Sequence, residues 1–329
     1  MAQYVGVNQA AITLISGRDY PRDWNQFLDW FADEEACLSY LEQLRWPEGF
    51  VCPRCGAASE PYRSSRGRLM CRGCRYQGTV TAGTMFDKTR TPLRTWFAAA
   101  WYLTNQKFGV SALGLQRVLG LGSYQTSWAM LHRFRRAMVR PGRERLNGKV
   151  EVDESDVGMR APSKPLTGVR LRSHTPRSLV AIAIEAQEPK GFGRIRLRRV
   201  PTASETYLLP FVCGAVAPGA RVYTDGSHAY RSLSKHGYVH HPRVHLSSDD
   251  PAHVSMPGVH RVASLLKRWL LGTHQGAVQP AQLDYYLDEF TFRFNRRTSR
   301  SRGLLFYRLL EQAVATQPVT YQRIAAHNA

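Results

Sequence analysis

The chain has no long apolar run. Its longest apolar stretches, such as Phe97 to Leu103, fall far short of the roughly 18 residues that a membrane span needs. The first 30 residues hold no basic segment followed by an apolar core, so no secretory signal is read. Internal repeats and low-complexity tracts are also missing. Acid is scarce: 25 Asp+Glu face 45 Lys+Arg in 329 residues, a formal charge of +20. Hydrophobic residues at 43% and charged residues at 21% are ordinary for a folded chain and exclude wholesale disorder. The length allows two or three domains. The expectation is a soluble cytoplasmic protein whose excess charge points to a polyanionic partner.

The charge is unevenly spread. Residues 1–40 carry two Arg against six Asp+Glu, a net −4, so the excess lies beyond them. Residues 129–149 hold seven basic groups and one acid, and residues 290–310 hold six Arg and no acid. Both runs interleave aromatics with arginine, as nucleic-acid binding surfaces do, although a solvated basic face has the same composition. Arg133, Arg136 and Arg140 in the first run and Arg293, Arg296 and Arg297 in the second are the candidate DNA contacts.

Cysteine is sparse but organised. Of six, Cys52, Cys55, Cys71 and Cys74 form C-x2-C-x15-C-x2-C, within the spacing of zinc ribbons. Four thiolates close a tetrahedral site, which makes it structural rather than catalytic. Gly56 and Gly73 stand where tight knuckle turns favour a residue without a Cβ. A pair of disulfides or redox dithiols is the competing reading, disfavoured by the lack of a secretory signal. Cys37 and Cys213 lie in apolar settings and read as buried small hydrophobes.

Periodicity gives a coarse map. Residues 23–45 predict one or two short helices, and Pro92 opens an amphipathic helix over 92–105. Ser111 caps a short helix ending at Gly120, and Ser123 caps a longer one, the outline of a helix-turn-helix. From about 149 the pattern changes to strands at 150–154, 179–184, 195–200 and 220–224, with helices at 203–216 and 260–271. This predicts an α/β domain with a mixed sheet. Residues 157–177 read as a loop or hairpin.

Asp153 and Asp225 each end an apolar strand, which is how a fold brings two carboxylates into one cleft. Such a pair suits Mg²⁺ and two-ion phosphodiester chemistry, while each Asp alone also fits a turn or cap. In the helix at 260–271, His260, Ser264, Lys267 and Leu271 share one side. Val262, Leu265, Leu266 and Trp269 share the other and are expected to bury against the sheet. His260 and Lys267 then point the same way, two turns apart.

These pieces carry a resemblance. The four-cysteine pattern is followed by Val152-Asp-Glu-Ser-Asp-Val-Gly158 and Tyr223-Thr-Asp-Gly-Ser-His-Ala-Tyr230. Then come Val259-His-Arg-Val-Ala-Ser-Leu-Leu-Lys-Arg268, Gly272-Thr-His-Gln-Gly276 and Tyr286-Leu-Asp-Glu-Phe-Thr-Phe-Arg-Phe-Asn-Arg-Arg297. In order and spacing they resemble a DDE-type insertion-sequence transposase of the zinc-ribbon, ISXO-like branch, over about residues 30 to 312. The resemblance implies an RNase H-like catalytic domain in which Asp153 and Asp225 match the first two metal-binding acids. The third place, normally Glu or Asn seven residues before a basic residue, is His260, with Lys267 as the basic residue. An imidazole suits Mn²⁺ better than Mg²⁺. Asp249, Asp250 and Glu289 are backup candidates for a third carboxylate, though none sits at the matching position.

The organisation implied is an N-terminal helical segment over 1–48, a zinc ribbon over 49–85 and a helix-turn-helix-like DNA-binding region over 86–147. An RNase H-like transposase domain over 148–312 and a tail over 313–329 follow. The activity implied is binding of terminal inverted repeats, then metal-dependent strand cleavage and strand transfer. Structural Zn²⁺, catalytic Mg²⁺ or Mn²⁺, double-stranded DNA and a homo-oligomer on that DNA are the implied cofactors and partners. A catalytically inactive DNA-binding protein and an RNase H-like nuclease without strand transfer are the competing readings.

Overall fold

The structure, a computed structural model, describes residues 13–64, 67–140, 142–158, 177–187, 191–243 and 256–326. Asp249, Asp250 and most of the loop expected at 157–177 lie outside these residues. The chain forms two compact units: one from the N-terminus to Lys107 together with Ser299–Pro318, the other from Phe108–Thr298 together with Val319 onward. No helix among the described residues is long and apolar enough to cross a membrane.

The first unit holds α1 (Trp24–Trp30), α2 (Glu34–Arg45), α3 (Leu93–Asn105) and α9 (Arg302–Ala315). Asp23 and Asp33 cap the first two helices by accepting from Gln26 and Ala36 backbone N–H. An aromatic core joins these helices. Phe31 meets Phe97 edge-on at 4.8 Å, and Phe306 packs against Phe27, Phe31, Phe97 and Trp101 at 5.5–5.9 Å. Cys37 is fully buried among them, and burial pushes its thiol up to about 12. Between α2 and α3 lies a small antiparallel sheet, β1 (Tyr62–Arg63), β2 (Leu69–Met70) and β3 (Gln77–Gly78).

The second unit begins with α4 (Ala112–Leu119) and α5 (Tyr124–Ala137), separated by Gly120 in the left-handed conformation at φ 61°. Ser111 and Ser123 cap the two helices as the sequence predicts. The sheet follows: β4 (Lys149–Gly158), β5 (Arg177–Ala186) and β6 (Phe192–Val200) form an antiparallel meander. α6 (Glu205–Ala215) leads to β7 (Arg221–Thr224), which pairs parallel with β4, and β8 (Val239–Pro242) pairs parallel with β7. The order β6-β5-β4-β7-β8, with β5 antiparallel to the rest of the centre, is a mixed α/β sheet of RNase H-like arrangement. One face carries Val150, Val152, Val222 and Tyr230 in a core with α6. The other buries Val180, Ile182, Ile184 and Ile195 under α7 (Pro257–His274) and α8 (Leu283–Asn295). On α7 the expected apolar side, Val262, Leu265, Leu266 and Trp269, packs into that core.

The edge strand β6 is sealed rather than left open to pairing. Asn295 accepts from Ile195 N at 2.7 Å and donates to Ile195 O at 3.2 Å, and Arg297 donates to the carbonyls of Gly193 and Phe192. A short helix, α10 (Tyr321–Ala325), sets Tyr321 against Trp128 of α5.

At the centre of this unit Glu289 of α8 is fully buried. It accepts from Arg135 at 2.8 Å and from Arg293 at 2.8 Å, and Arg135 lies 4.0 Å over the Tyr286 ring. Burial by itself would raise the Glu289 carboxyl, but Arg293 and Arg135 hold it down at about 2. Removing one partner of a buried pair strands the other charge, which costs about 3–5 kcal/mol. Glu289→Ala is therefore expected to lose about that much in urea denaturation. A loss below about 1 kcal/mol would mean that Arg135 finds another partner.

Candidate active site and zinc centre

In the ribbon the four cysteines converge. Cys52 and Cys74 sulfurs lie 3.6 Å apart, Cys55 and Cys71 sulfurs 3.7 Å, and all four lie within 4.8 Å of one another. A disulfide needs about 2.05 Å. A tetrahedron with Zn–S near 2.3 Å has edges of about 3.8 Å, so the donor set fits a structural zinc. Each knuckle turns by a backbone bond back to its first cysteine: Gly56 N to Cys52 O, and Arg75 N to Cys71 O. The residue held in the left-handed region is Gly56 in the first knuckle and Arg75 in the second, at φ 74° and 57°. Gly73 is not at such a position, contrary to the sequence expectation; the second turn falls two residues later.

The parallel ladder of β4 and β7 leads toward the two acids. It pairs Lys149 with Arg221, Val150 with Val222 and Glu151 with Tyr223; the same register carried two residues further would bring Asp153 level with Asp225. Neighbouring strands are about 4.8 Å apart, and alternate residues share a face. Glu151, Asp153 and Tyr223 therefore share one face, opposite Val150, Val152 and Val222, and Asp225 follows directly on the end of β7. Both acids are half-buried. Asp153 accepts from Glu154 N at 2.8 Å and Asp225 from Ser227 N at 3.0 Å, so each carboxylate keeps one oxygen tied to local backbone.

Helix α7 brings the third group. Its first turn is anchored by Glu151, which accepts from Gly258 N at 2.7 Å and Val259 N at 3.1 Å. A Cβ at Gly258 would lie 2.7 Å from Glu151 Oε2, so only glycine allows this approach. His260 is the next residue on, half-buried, and its Nε2 is enclosed without a hydrogen-bond partner. Lys267 stands exposed two turns along the same helix, about 10 Å away at 1.5 Å per residue. Among the described residues the only trio or larger group of ligating side chains within 4.8 Å of one another is the four cysteines. Asp153, Asp225 and His260 do not close to that separation.

Two family models match the two sites. Residues 32–77 match the transposase zinc-ribbon domain, and residues 145–295 match the ISXO2-like transposase domain. The chain carries a transposase zinc ribbon and an ISXO2-like transposase domain. It is 29% identical over 279 residues to the "uncharacterized protein in transposable element ISH50" of Halobacterium salinarum, covering 80% of this chain and 91% of that relative. A loose structural likeness, TM-score 0.28 and 13% identity, links 71% of the chain to 79% of a chain in the crystal structure of a pre-cleavage Mos1 transpososome.

Glu154 and Tyr230 lie within the motifs that carry the resemblance, where nothing in the sequence assigns them a role. Glu154 points to the opposite face from Asp153, where the buried Tyr230 hydroxyl donates to it at 2.5 Å. Burial, with Asp153 and Asp225 nearby, raises its carboxyl to about 7 even though Tyr230 bonds to it. The contact ties the segment after Asp225 back to β4.

The six candidate DNA arginines are not all alike. Arg140 is exposed and pairs with Glu144 at 2.5 Å. Arg297 is exposed in part but spends donors on the β6 edge and lies 4.1 Å over Phe294. Arg133 donates to Val319 O at 3.2 Å, Arg293 pairs with Glu289, and Arg296 lies 4.1 Å over Phe292. Arg136 is half-buried. Helix α5 is enclosed along most of its length from Ser127 to Met138, so its exposed part is the first turn rather than a continuous basic stripe.

His132 of α5 is fully buried in the ring cluster of Tyr285 and Tyr286, with Nδ1 unpartnered. Burial, then Arg135 and His274, pulls its pKa from 6.5 to about 2, and burial also takes His274 to about 4. Below pH 6.5 the unfolded chain takes up protons that the folded one refuses. Stability present above 6.5 is therefore lost as pH falls toward these folded values. His132 alone should cost about 2 kcal/mol between pH 7 and pH 5, at about 1.4 kcal/mol per unit below 6.5. Urea melts of the wild type and His132→Phe at the two pH values read the difference. Equal losses in both proteins would remove His132 from the account.

Proposed function

We propose that the chain binds the terminal inverted repeats of an insertion sequence and catalyses divalent-metal-dependent DNA strand cleavage and strand transfer. The observation that supports the reading is the parallel pairing of β4 with β7, whose register, carried two residues further, would bring Asp153 level with Asp225, together with the buried, unpartnered Nε2 of His260. These three side chains would hold Mg²⁺ or Mn²⁺. When bound there, such ions polarise the phosphoryl oxygen and lower the pKa of a bound water. Lys267, exposed on the same helix, offers a cation to a phosphate. Water adds to phosphorus in line and the P–O3′ bond breaks, leaving a 3′-hydroxyl and a 5′-phosphate. The freed 3′-hydroxyl then attacks a target phosphodiester: a new P–O3′ bond forms, the target's own P–O3′ bond breaks, and the target strand leaves with a 3′-hydroxyl, with no covalent protein intermediate.

The zinc ribbon over 49–85 and the helical region over 86–147 are proposed to bind the element ends, and 148–312 to carry the chemistry. The DNA grip is proposed for Arg133, Arg136, Arg140, Arg293, Arg296 and Arg297, chiefly through the exposed Arg140. A homo-oligomer is proposed to pair two ends. The test is incubation with Mn²⁺ or Mg²⁺ on DNA carrying the cognate ends. Nicked 3′-hydroxyl ends and joined products are expected. Cutting without joining would favour a nuclease, and salt-sensitive binding without cutting a DNA-binding protein; either overturns the proposal.

A further inference from the structure

The face that carries Asp153 and Asp225 continues onto β7 and β8, beyond the part covered by α7. Helix α7 packs on β5 and β4. On the same face of β7 and β8, Arg221, Val239 and Arg243 are exposed. The parallel register aligns Lys149 with Arg221 and Val239, and one step along it aligns Glu151 with Tyr223 and His241. Tyr223 and His241 stack at 4.7 Å between centroids with an interplanar angle of 17°. Lys149 Nζ lies 5.1 Å from the Tyr223 ring centre and Arg243 Cζ 5.3 Å. The next step along the strands, about 7 Å on, is the level of Asp153 and Asp225.

A half-buried ring pair rimmed by three cations is a sequence-tolerant way to hold an unpaired strand. Bases stack on the rings while Lys and Arg meet the phosphates. Duplex DNA keeps its bases inside and cannot use the rings. We infer that the Tyr223–His241 platform, with Lys149, Arg221 and Arg243 around it, is a binding site for an unpaired DNA strand. It would lead that strand to the carboxylates. The inference rests on the strand-cleavage reading above and adds to it the route of the substrate strand.

The probe is a fluorescein-labelled 20-nucleotide oligo(dT), measured by anisotropy without added Mg²⁺ or Mn²⁺ and compared with a random duplex of equal length. Tyr223→Ala with His241→Ala is expected to weaken oligo(dT) binding about tenfold while changing duplex binding less than twofold. Arg243→Gln should lower the slope of log K against log salt by about 0.7. Irradiation of the unaltered protein with an oligonucleotide carrying 5-iodouracil should crosslink Tyr223 or His241. Crosslinks confined elsewhere, or a double variant of unchanged melting temperature that binds oligo(dT) within twofold of wild type, overturn the inference. Metal-dependent cleavage by a protein whose oligo(dT) binding ignores both rings overturns this site alone. Ring-dependent binding by a protein that never cleaves supports the site and overturns only the proposed function.

Discussion

Asp153→Asn and Asp225→Asn are each expected to lower metal-dependent strand cleavage by about 10³-fold or more while leaving the fold intact. Each carboxylate uses Oδ1 to accept from a neighbouring backbone N–H, Glu154 N for one and Ser227 N for the other. An amide oxygen can keep that bond, so the local backbone has no reason to move. What the change removes is one negative charge from a hard oxygen ligand. Losing even an outer partner of a metal ligand costs about 10–100-fold, and losing a ligand that stabilises developing charge costs more. Two different positions with the same loss and unchanged melting temperature would point to one shared centre. Variants that cut within tenfold of wild type would refute the assignment. His260→Glu refines the same test. A third carboxylate replaces a softer imidazole, so the ratio of the Mn²⁺ rate to the Mg²⁺ rate should fall. A ratio that does not change would place His260 outside the metal shell.

Much of the secondary structure that carries these residues could be read before any fold was known, because the relevant signals are local. An apolar run ending in Asp predicts a strand end at each of the two acids; β7 does stop at Thr224, one residue before Asp225, but β4 runs on to Gly158 and leaves Asp153 in mid-strand, because the polar residues 154–156 still pair with β5. Helical periodicity placed His260 and Lys267 on the open side of α7, with Val262 and Leu266 inward. The C-x2-C pairs fixed the zinc donors, since two residues between cysteines leave little choice of geometry. What periodicity could not supply was pairing. That β4 lies between β5 and β7, antiparallel to one and parallel to the other, is a property of the sheet and of no single segment.

The basic tail shows the opposite case. In the sequence, residues 290–310 look like a phosphate-binding run because arginine alternates with phenylalanine. In the structure Phe290, Phe292, Phe294 and Phe306 are buried. Arg293 neutralises Glu289, and Asn295 and Arg297 close the β6 edge. Composition reports charge but not its partner: that of Arg293 is one turn back on its own helix, and those of Asn295 and Arg297 lie about a hundred residues away. Glu154 was hidden for a similar reason: its contact, Tyr230, is 76 residues distant. Short β8 went unread because four residues with two adjacent histidines carry no alternation.

Zinc removal is expected to melt the ribbon while the aromatic core of α1, α2, α3 and α9 persists. The ribbon has three strands of two residues each, and its buried side chains are few: Cys52, Leu69, Cys71 and Val80 among them. A sheet that small is not stable by pairing alone. Arg45 donating to Val80 O at 2.6 Å and the Arg63–Glu42 pair fasten its margins to α2, but both lie at the surface or near it. Surface ion pairs of this kind contribute at most about 1 kcal/mol, whereas four thiolates on zinc supply about 10–16 kcal/mol at neutral pH. The metal must then be what holds the two knuckles together. The Phe31–Phe97–Phe306 cluster needs no such help, because its rings bury one another. Amide hydrogen exchange before and after a strong chelator separates the two parts. Protection at Cys52, Cys71 and Gly78 should vanish, protection within α3 should remain, and Cys71→Ser should reproduce the chelated pattern. A zinc-free protein whose ribbon amides stay protected would show that the thiols fold the ribbon without metal.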